Sequence, residues 1–190
     1  MNKNKFDVIR NILLLFILFA VCGWIYEVIW TYFDDGVWTN RGFLFGPWLP
    51  IYGFGGMLVY AIFRKQITKP FYVGKLNIRF VLLFIYVCLI TTFVELAATY
   101  IIELFGSPFT VLWDYSEHFM NFQGRICLDA SARFGVLGLM IIYGVLPIYR
   151  KLIAMKNQKF LNAISWTLIA LFAIDWILRI PFGNNYNGPI

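Results

Sequence analysis

Charge is scarce in this chain: Asp, Glu, Lys and Arg make up 14% of its 190 residues, against 61% hydrophobic. An ordinary soluble domain carries more polar surface than that, so the composition excludes one and points to a polytopic membrane protein. Histidine is almost absent, with His118 alone and no HExxH, which excludes a metal centre built on several imidazoles. The three cysteines, Cys22, Cys88 and Cys127, sit in or beside apolar runs and form no CxxC, so neither a zinc knuckle nor a disulfide framework is indicated. No GxxxxGK[ST] occurs, so the chain has no P-loop of its own. Internal repeats, low-complexity tracts and linkers are missing too, and the expectation is one integral membrane domain over 1–190, with no cofactor and no metal. The net charge of +6 could suggest nucleic acid. The basic residues instead flank apolar segments in short clusters, the pattern that sets membrane topology, and no nucleic-acid partner is expected.

What is present is a series of long apolar runs. The reading is an all-α transmembrane helix bundle of about five spans, near 9–33, 43–63, 80–105, 125–149 and 160–180, each close to the ~20 residues a crossing needs. The first run follows Lys3, Lys5 and Arg10, as in a signal peptide. It is far longer than a signal h-region, no A-x-A follows, and Val21 precedes Cys22 where a lipoprotein signal has a small residue, so it reads as an uncleaved first span. Of sixteen basic residues, twelve lie in the N-terminus, the 64–79 loop and the 150–159 loop, and these include all eight lysines. Those segments fall on one face of a five-span chain, which places the N-terminus in the cytoplasm and the C-terminus outside.

The other four basic residues are the arginines Arg41, Arg125, Arg133 and Arg179, and nine of the ten acids share their side. At 1.5 Å per residue, Glu27 lies roughly 9 Å below the outer end of the first span and Glu95 roughly 15 Å below that of the third. The fourth span carries Arg125, Asp129 and Arg133 at i, i+4 and i+8, one helical face. The fifth carries Asp175 and Arg179, four apart, which suit an intrahelical pair. Charges inside a membrane cost at least ~2.5–3.5 kcal/mol each, so they pair or serve a function. Glu27 and Glu95 have no basic residue within a turn in sequence, so their partners are sought among Arg41, Arg125 and Arg133. The expectation is that Glu27, Arg41, Glu95 and Arg125 converge on one outward cavity edged by Asp129 and Arg133; a purely structural role in helix register is the competing reading.

Between the first two spans lies GWIYEVIWTYFDDGVWTNRGFLFGPWLPIYGFGG, from Gly23 to Gly56. Proline is tolerated at a helix start and breaks bonds inside one, so Pro47 and Pro50 predict a second span that is broken or re-entrant at its outer end, with true helix from about Pro50. Such a helix start points its positive dipole inward and, with Arg41, favours an anionic group nearby. Trp24, Trp30, Trp38, Trp48 and Trp113 suit an interfacial belt. Asp114, Ser116 and His118 have the residue types of a hydrolase triad but crowd within five residues, and triads are defined by geometry, so a lid or interfacial loop is the reading there.

GWxxE at 23–27, NRGxLxGPWxPIYGxGG at 40–56, Glu95, WDYS at 113–116 and NxxGRICL at 121–128 together resemble the bacterial family labelled putative ABC-transporter type IV. The resemblance covers roughly 9–150. It carries over Glu27, Asn40, Arg41, Gly42, Gly46, Pro47, Pro50, Tyr52, Gly53, Glu95, Trp113, Asp114, Asn121, Gly124 and Arg125; Phe134 stands where the family pattern leads one to expect Trp. The family implies a permease-like transport subunit in the bacterial plasma membrane, with a separate ATPase on the cytoplasmic loops if transport is ATP-driven. Five helices are few for a pore, which implies a homo-oligomer or a partner. Two other classes stay open. One is a membrane enzyme on an anionic lipid or lipid-linked substrate, with the arginines on phosphate and Glu27 or Glu95 as base. The other is a non-catalytic assembly or sensor subunit.

Overall fold

In the computed structural model, which describes residues 5–64, 69–111 and 113–182, five helices carry the chain. Helix α1 is Lys5–Asp35 and α2 is Pro50–Phe63. Helix α3 is Arg79–Leu104, α4 is Leu128–Ile153 and α5 is Gln158–Phe182. Four of these, α1, α3, α4 and α5, are long and apolar enough to cross a bilayer. The molecule is an all-α membrane helix bundle. The only sheet among the described residues is a two-stranded hairpin, β1 Tyr72–Val73 with β2 Leu76–Asn77.

Several boundaries differ from the sequence reading. Helix α1 starts at Lys5, before Ile9, because nothing in 5–8 breaks a helix. Helix α2 has 14 residues, about 21 Å, and is shorter than the 43–63 run. It begins at Pro50, the N1 position where proline's missing N–H costs nothing. Helix α4 begins at Leu128, three residues after Arg125. Cys127 caps it in extended conformation, with its Sγ accepting from the Ala130 amide at 3.4 Å. Within α4, Ile141–Val145 form a π turn. Pro147 would clash with the carbonyl four residues back, and the wider turn relieves that.

The described residues fall into two compact units, one drawn from Met1–Met57 and Gly144–Ile190, the other from Leu58–Tyr143. In the first, α1 packs on α5 around Ile17, Ala20, Leu44 and Trp48, with Phe16, Leu168 and Phe172 against them. Gly53 and Gly56 bring α2 close to α1: a Cβ at either would lie 2.6 Å from Phe16 or Phe19. A buried arginine, Arg10 at 2% exposure, joins α1 to α5 through Asn162 and Gln158, with Asp7 at 3.3 Å as its counter-ion. In the second unit α3 packs on α4, where Gly135 and Gly138 face Phe84, Cys88 and Val87, and Thr92 donates to Ser131 at 2.6 Å.

Candidate polar sites

The first site is the loop 36–49 between α1 and α2, which is irregular backbone packed into an apolar core. Leu44, Trp48 and Leu49 are buried, while Arg41, Phe43, Phe45 and Pro47 between and beside them are exposed. The loop's polar groups find partners in side chains and in backbone carbonyls. Trp24 Nε1 on α1 donates to Asn40 Oδ1 at 2.7 Å, and Asn40 Nδ2 donates to the Phe45 carbonyl at 3.2 Å. Asp175 on α5, 7% exposed, accepts from the Phe45 amide (3.0 Å), the Gly46 amide (2.7 Å) and Trp48 Nε1 (2.6 Å). The Leu49 amide donates to the Ala20 carbonyl at 3.0 Å. Gly42 has φ +104°, where Leu49 occupies the space of a Cβ. The motif N-R-G-x-L-x-G-P-W thus reads as a bridge, a left-handed turn, a core anchor, an amide donor and an indole donor.

Asp175 is therefore not the intrahelical partner of Arg179. A carboxylate satisfies three donors, one of them the buried Trp48 indole, better than it serves one arginine a turn away, because each unmade buried bond costs about 1–3 kcal/mol. The anion that the loop favours is supplied by α5. Trp48, 6% exposed, leaves the expected interfacial belt for the same reason. Glu27, half-buried, accepts from the Tyr52 hydroxyl on α2. Arg41 is exposed and makes no hydrogen bond or ion pair among the described residues. Pro47 sits between the two donors Gly46 and Trp48 without an N–H to satisfy. Arg179, 6% exposed, lies with its guanidinium 4.9 Å from both the Phe43 and Phe45 rings.

The second site is the loop 105–127 before α4, which is mostly exposed and holds itself together. Asp114 Oδ1 accepts from the Ser116 amide (2.9 Å) and hydroxyl (2.6 Å). The hydroxyl and then the amide hold the Asp114 carboxyl below its ordinary pKa. Asn121 Nδ2 donates to the Ser116 and His118 carbonyls at 3.0 Å, and the Gly124 amide returns to Asn121 Oδ1 at 3.0 Å. Gly124, at φ +67°, has Ser116 Oγ 2.5 Å from where a Cβ would stand. Trp113 Nε1 donates to the Arg125 carbonyl at 2.8 Å. The Ser116 hydroxyl is bound to Asp114 while His118 stacks edge-on against Tyr115, so this is a turn and not a hydrolytic triad.

Beneath this loop Glu95, 3% exposed on α3, accepts from Tyr115 Oη at 3.0 Å. Arg125 donates through Nη2 to both oxygens of Glu103 (2.8 and 2.9 Å) and lies 4.4 Å from the Tyr100 and Phe109 rings. Because α4 starts after it, Arg125 does not share a helical face with Asp129 and Arg133. Those two pair locally on α4, with His118 Nδ1 4.0 Å from Asp129. Of the anticipated residues, Glu27, Asn40 and Arg41 belong to the first unit, with Gly42, Gly46, Pro50 and Gly53; Glu95, Asp114, Arg125, Asp129 and Arg133 belong to the second. Sequence reasoning missed the loop-binding role of Asp175, the Arg10 cluster, the Tyr115 donor and the pairing of Glu103. Asp175 left one signal: an acid deep in an apolar run, in a chain whose 40–49 loop has amides with no helix to bond them.

A family model described as Putative ABC-transporter type IV matches residues 14–180. No curated protein and no solved structure matches the chain. The family match spans most of the sequence, including α5 with Asp175 and Arg179. The chain belongs to this family, and it is a transport-related membrane protein.

Proposed function

We propose that the chain is a permease-like subunit of the bacterial plasma membrane, whose polar groups at the loops handle the solute. The observation that supports this reading best is the 40–49 loop held by Asp175. Irregular backbone amid apolar helices survives where protein groups satisfy it, and discontinuous helices are where secondary transporters place their substrates. In the first unit the polar site is Glu27 with Tyr52, Asn40 and Arg41. In the second it is Glu95 with Tyr115, Asp114, Arg125, Asp129 and Arg133. These groups face outward, the N-terminus and the loops 64–79 and 150–159 face the cytoplasm, and the C-terminus lies outside.

A separate ATPase docks on the basic loops, and the subunit works as an oligomer. Two measurements test this. Single cysteines in a cysteine-free background report topology: a cysteine at Lys156 stays unlabelled by an impermeant reagent in intact cells, and labelling there overturns the orientation. Tagged chain purified from mild detergent carries an ATP-hydrolysing partner, which charge reversal at Lys151 and Lys156 releases. Recovery of the chain without such a partner from membranes that still carry out the transport counts against the permease reading.

A further inference from the structure

The two units each hold an arginine against a pair of aromatic rings, and among the described residues only one of these arginines has an anion. Arg125, between Tyr100 and Phe109, has the Glu103 carboxylate at 2.8 Å. Arg179, over Phe43 and Phe45, is buried at 6% exposure; its Nε and Nη1, like those of Arg125, find no acceptor among the described residues, and no carboxylate there pairs with it as Glu103 pairs with Arg125. The carboxylate one turn before it, Asp175, is taken up by the Phe45 and Gly46 amides and the Trp48 indole. Aromatic faces attract a guanidinium but accept little of its hydrogen-bonding capacity, and a buried cation without an acceptor is costly. Its place in the last turn of α5 favours a positive charge through the helix dipole, without supplying the missing acceptors.

We propose that Arg179 is the anchor of a binding site for a phosphate group, at the end of α5 and under the rings of Phe43 and Phe45. Three observations define the ligand. The guanidinium is planar and forked, which suits phosphate oxygens bidentately. Arg179 lies in the last turn of the apolar helix Gln158–Phe182, toward the end of a span, where a bilayer presents its headgroups. The rings that cover it are themselves exposed, so the cover is a pair of side chains and not the helix core. Arg41, exposed and without an ion pair among the described residues, precedes Phe43 by two residues and adds a second positive charge to the same loop. The phosphate could belong to an anionic lipid headgroup or be free in solution; the chemistry recognised is the same. The inference does not depend on the permease reading, since a lipid or phosphate site needs no transport.

The test uses the full chain purified in a neutral maltoside detergent. It is titrated separately with lysophosphatidylglycerol, with a monoacylglycerol of the same chain length, and with inorganic phosphate. Thermal unfolding and native mass spectrometry are read together. Lysophosphatidylglycerol should raise the unfolding midpoint saturably and leave a one-to-one adduct, whereas the monoacylglycerol should do neither. Response to lysophosphatidylglycerol alone identifies a lipid headgroup; an equal response to inorganic phosphate identifies a free anion. Arg179→Gln should abolish the response, while Lys156→Gln retains it. Arg179→Lys keeps the charge without the fork and should bind about tenfold more weakly or worse, the equivalent of one charge-assisted hydrogen bond. It serves as the decisive variant if Arg179→Gln does not fold. No saturable response in the wild type, or an affinity unchanged in Arg179→Lys, overturns the proposal.

Discussion

The loops 36–49 and 105–127 solve one problem in opposite ways. Both precede a helix, both carry a polar motif, and both set a tryptophan indole and a left-handed glycine. The first buries Leu44, Trp48 and Leu49 among apolar side chains and borrows its acceptor from Asp175, some 130 positions away in the chain (Phe45 to Asp175). The second lies largely exposed and is bonded by Asp114 and Asn121 over separations of two to five residues. The difference teaches what burial demands. A loop that water can reach needs only local turn chemistry, whereas one inside a membrane bundle needs a fixed partner from another helix.

The largest expected effect separates the two loops directly. Asp175→Ala strips a buried carboxylate from three donors, the buried Trp48 indole and the part-buried Phe45 and Gly46 amides, and should cost about 3–5 kcal/mol or prevent folding, the range for stripping a partner from a buried charged network. Asp175→Asn keeps one acceptor oxygen and should be milder. Asp114→Ala, in the exposed loop, should leave the unfolding midpoint nearly unchanged. Equal losses for Asp175→Ala and Asp114→Ala in a detergent thermal scan would break the contrast.

Glycine substitution sharpens it. Gly42→Ala forces a side chain to φ +104° against the buried Leu49, and should cost about 1–3 kcal/mol. Gly124→Ala is strained too, but it meets the Ser116 hydroxyl, an exposed group that can rotate away. The order Gly42 before Gly124 in thermal unfolding is the outcome expected; the reverse order contradicts the burial argument.

The tyrosine hydroxyls come next. Tyr115→Phe removes a hydrogen bond from Glu95, which is 3% exposed, and should cost about 1.5–3 kcal/mol, the range for bonds to charged groups. Tyr52→Phe does the same to the half-buried Glu27, where water can compensate in part, so its loss should be smaller. If Tyr52→Phe proves the more damaging, Glu27 is more tightly enclosed than its exposure implies.

The smallest effect is pH dependence in the exposed loop. Asp114 is held below its ordinary pKa, so its stabilisation is present above the unfolded value and is lost as pH falls through the lower folded one. The protection factor of the Ser116 amide against hydrogen exchange should be unchanged across neutral pH and should fall only at or below the usual carboxylate range. Ser116→Ala, which removes the larger cause of the shift, should move that loss to higher pH. Loss of protection already near neutrality would contradict the assignment.

The sequence by itself determined whatever depends on near neighbours. Apolar runs of sufficient length became α1, α3, α4 and α5, since in lipid a helix satisfies its own backbone. Pro50 marked the start of α2 because proline fits N1 and breaks later positions. The Asp129–Arg133 pair and the turn about Asp114 lie within a few residues and follow from spacing. Only the tertiary structure decided which acid serves which donor. From sequence Asp175 and Arg179 looked like a pair, and Arg125 looked like part of the α4 face. Packing gave Asp175 to the 45–48 donors and Arg125 to Glu103, and left Arg179 against two rings. An i, i+4 spacing states what can meet. Burial decides what must, because an unsatisfied donor in the core costs more than a local ion pair returns.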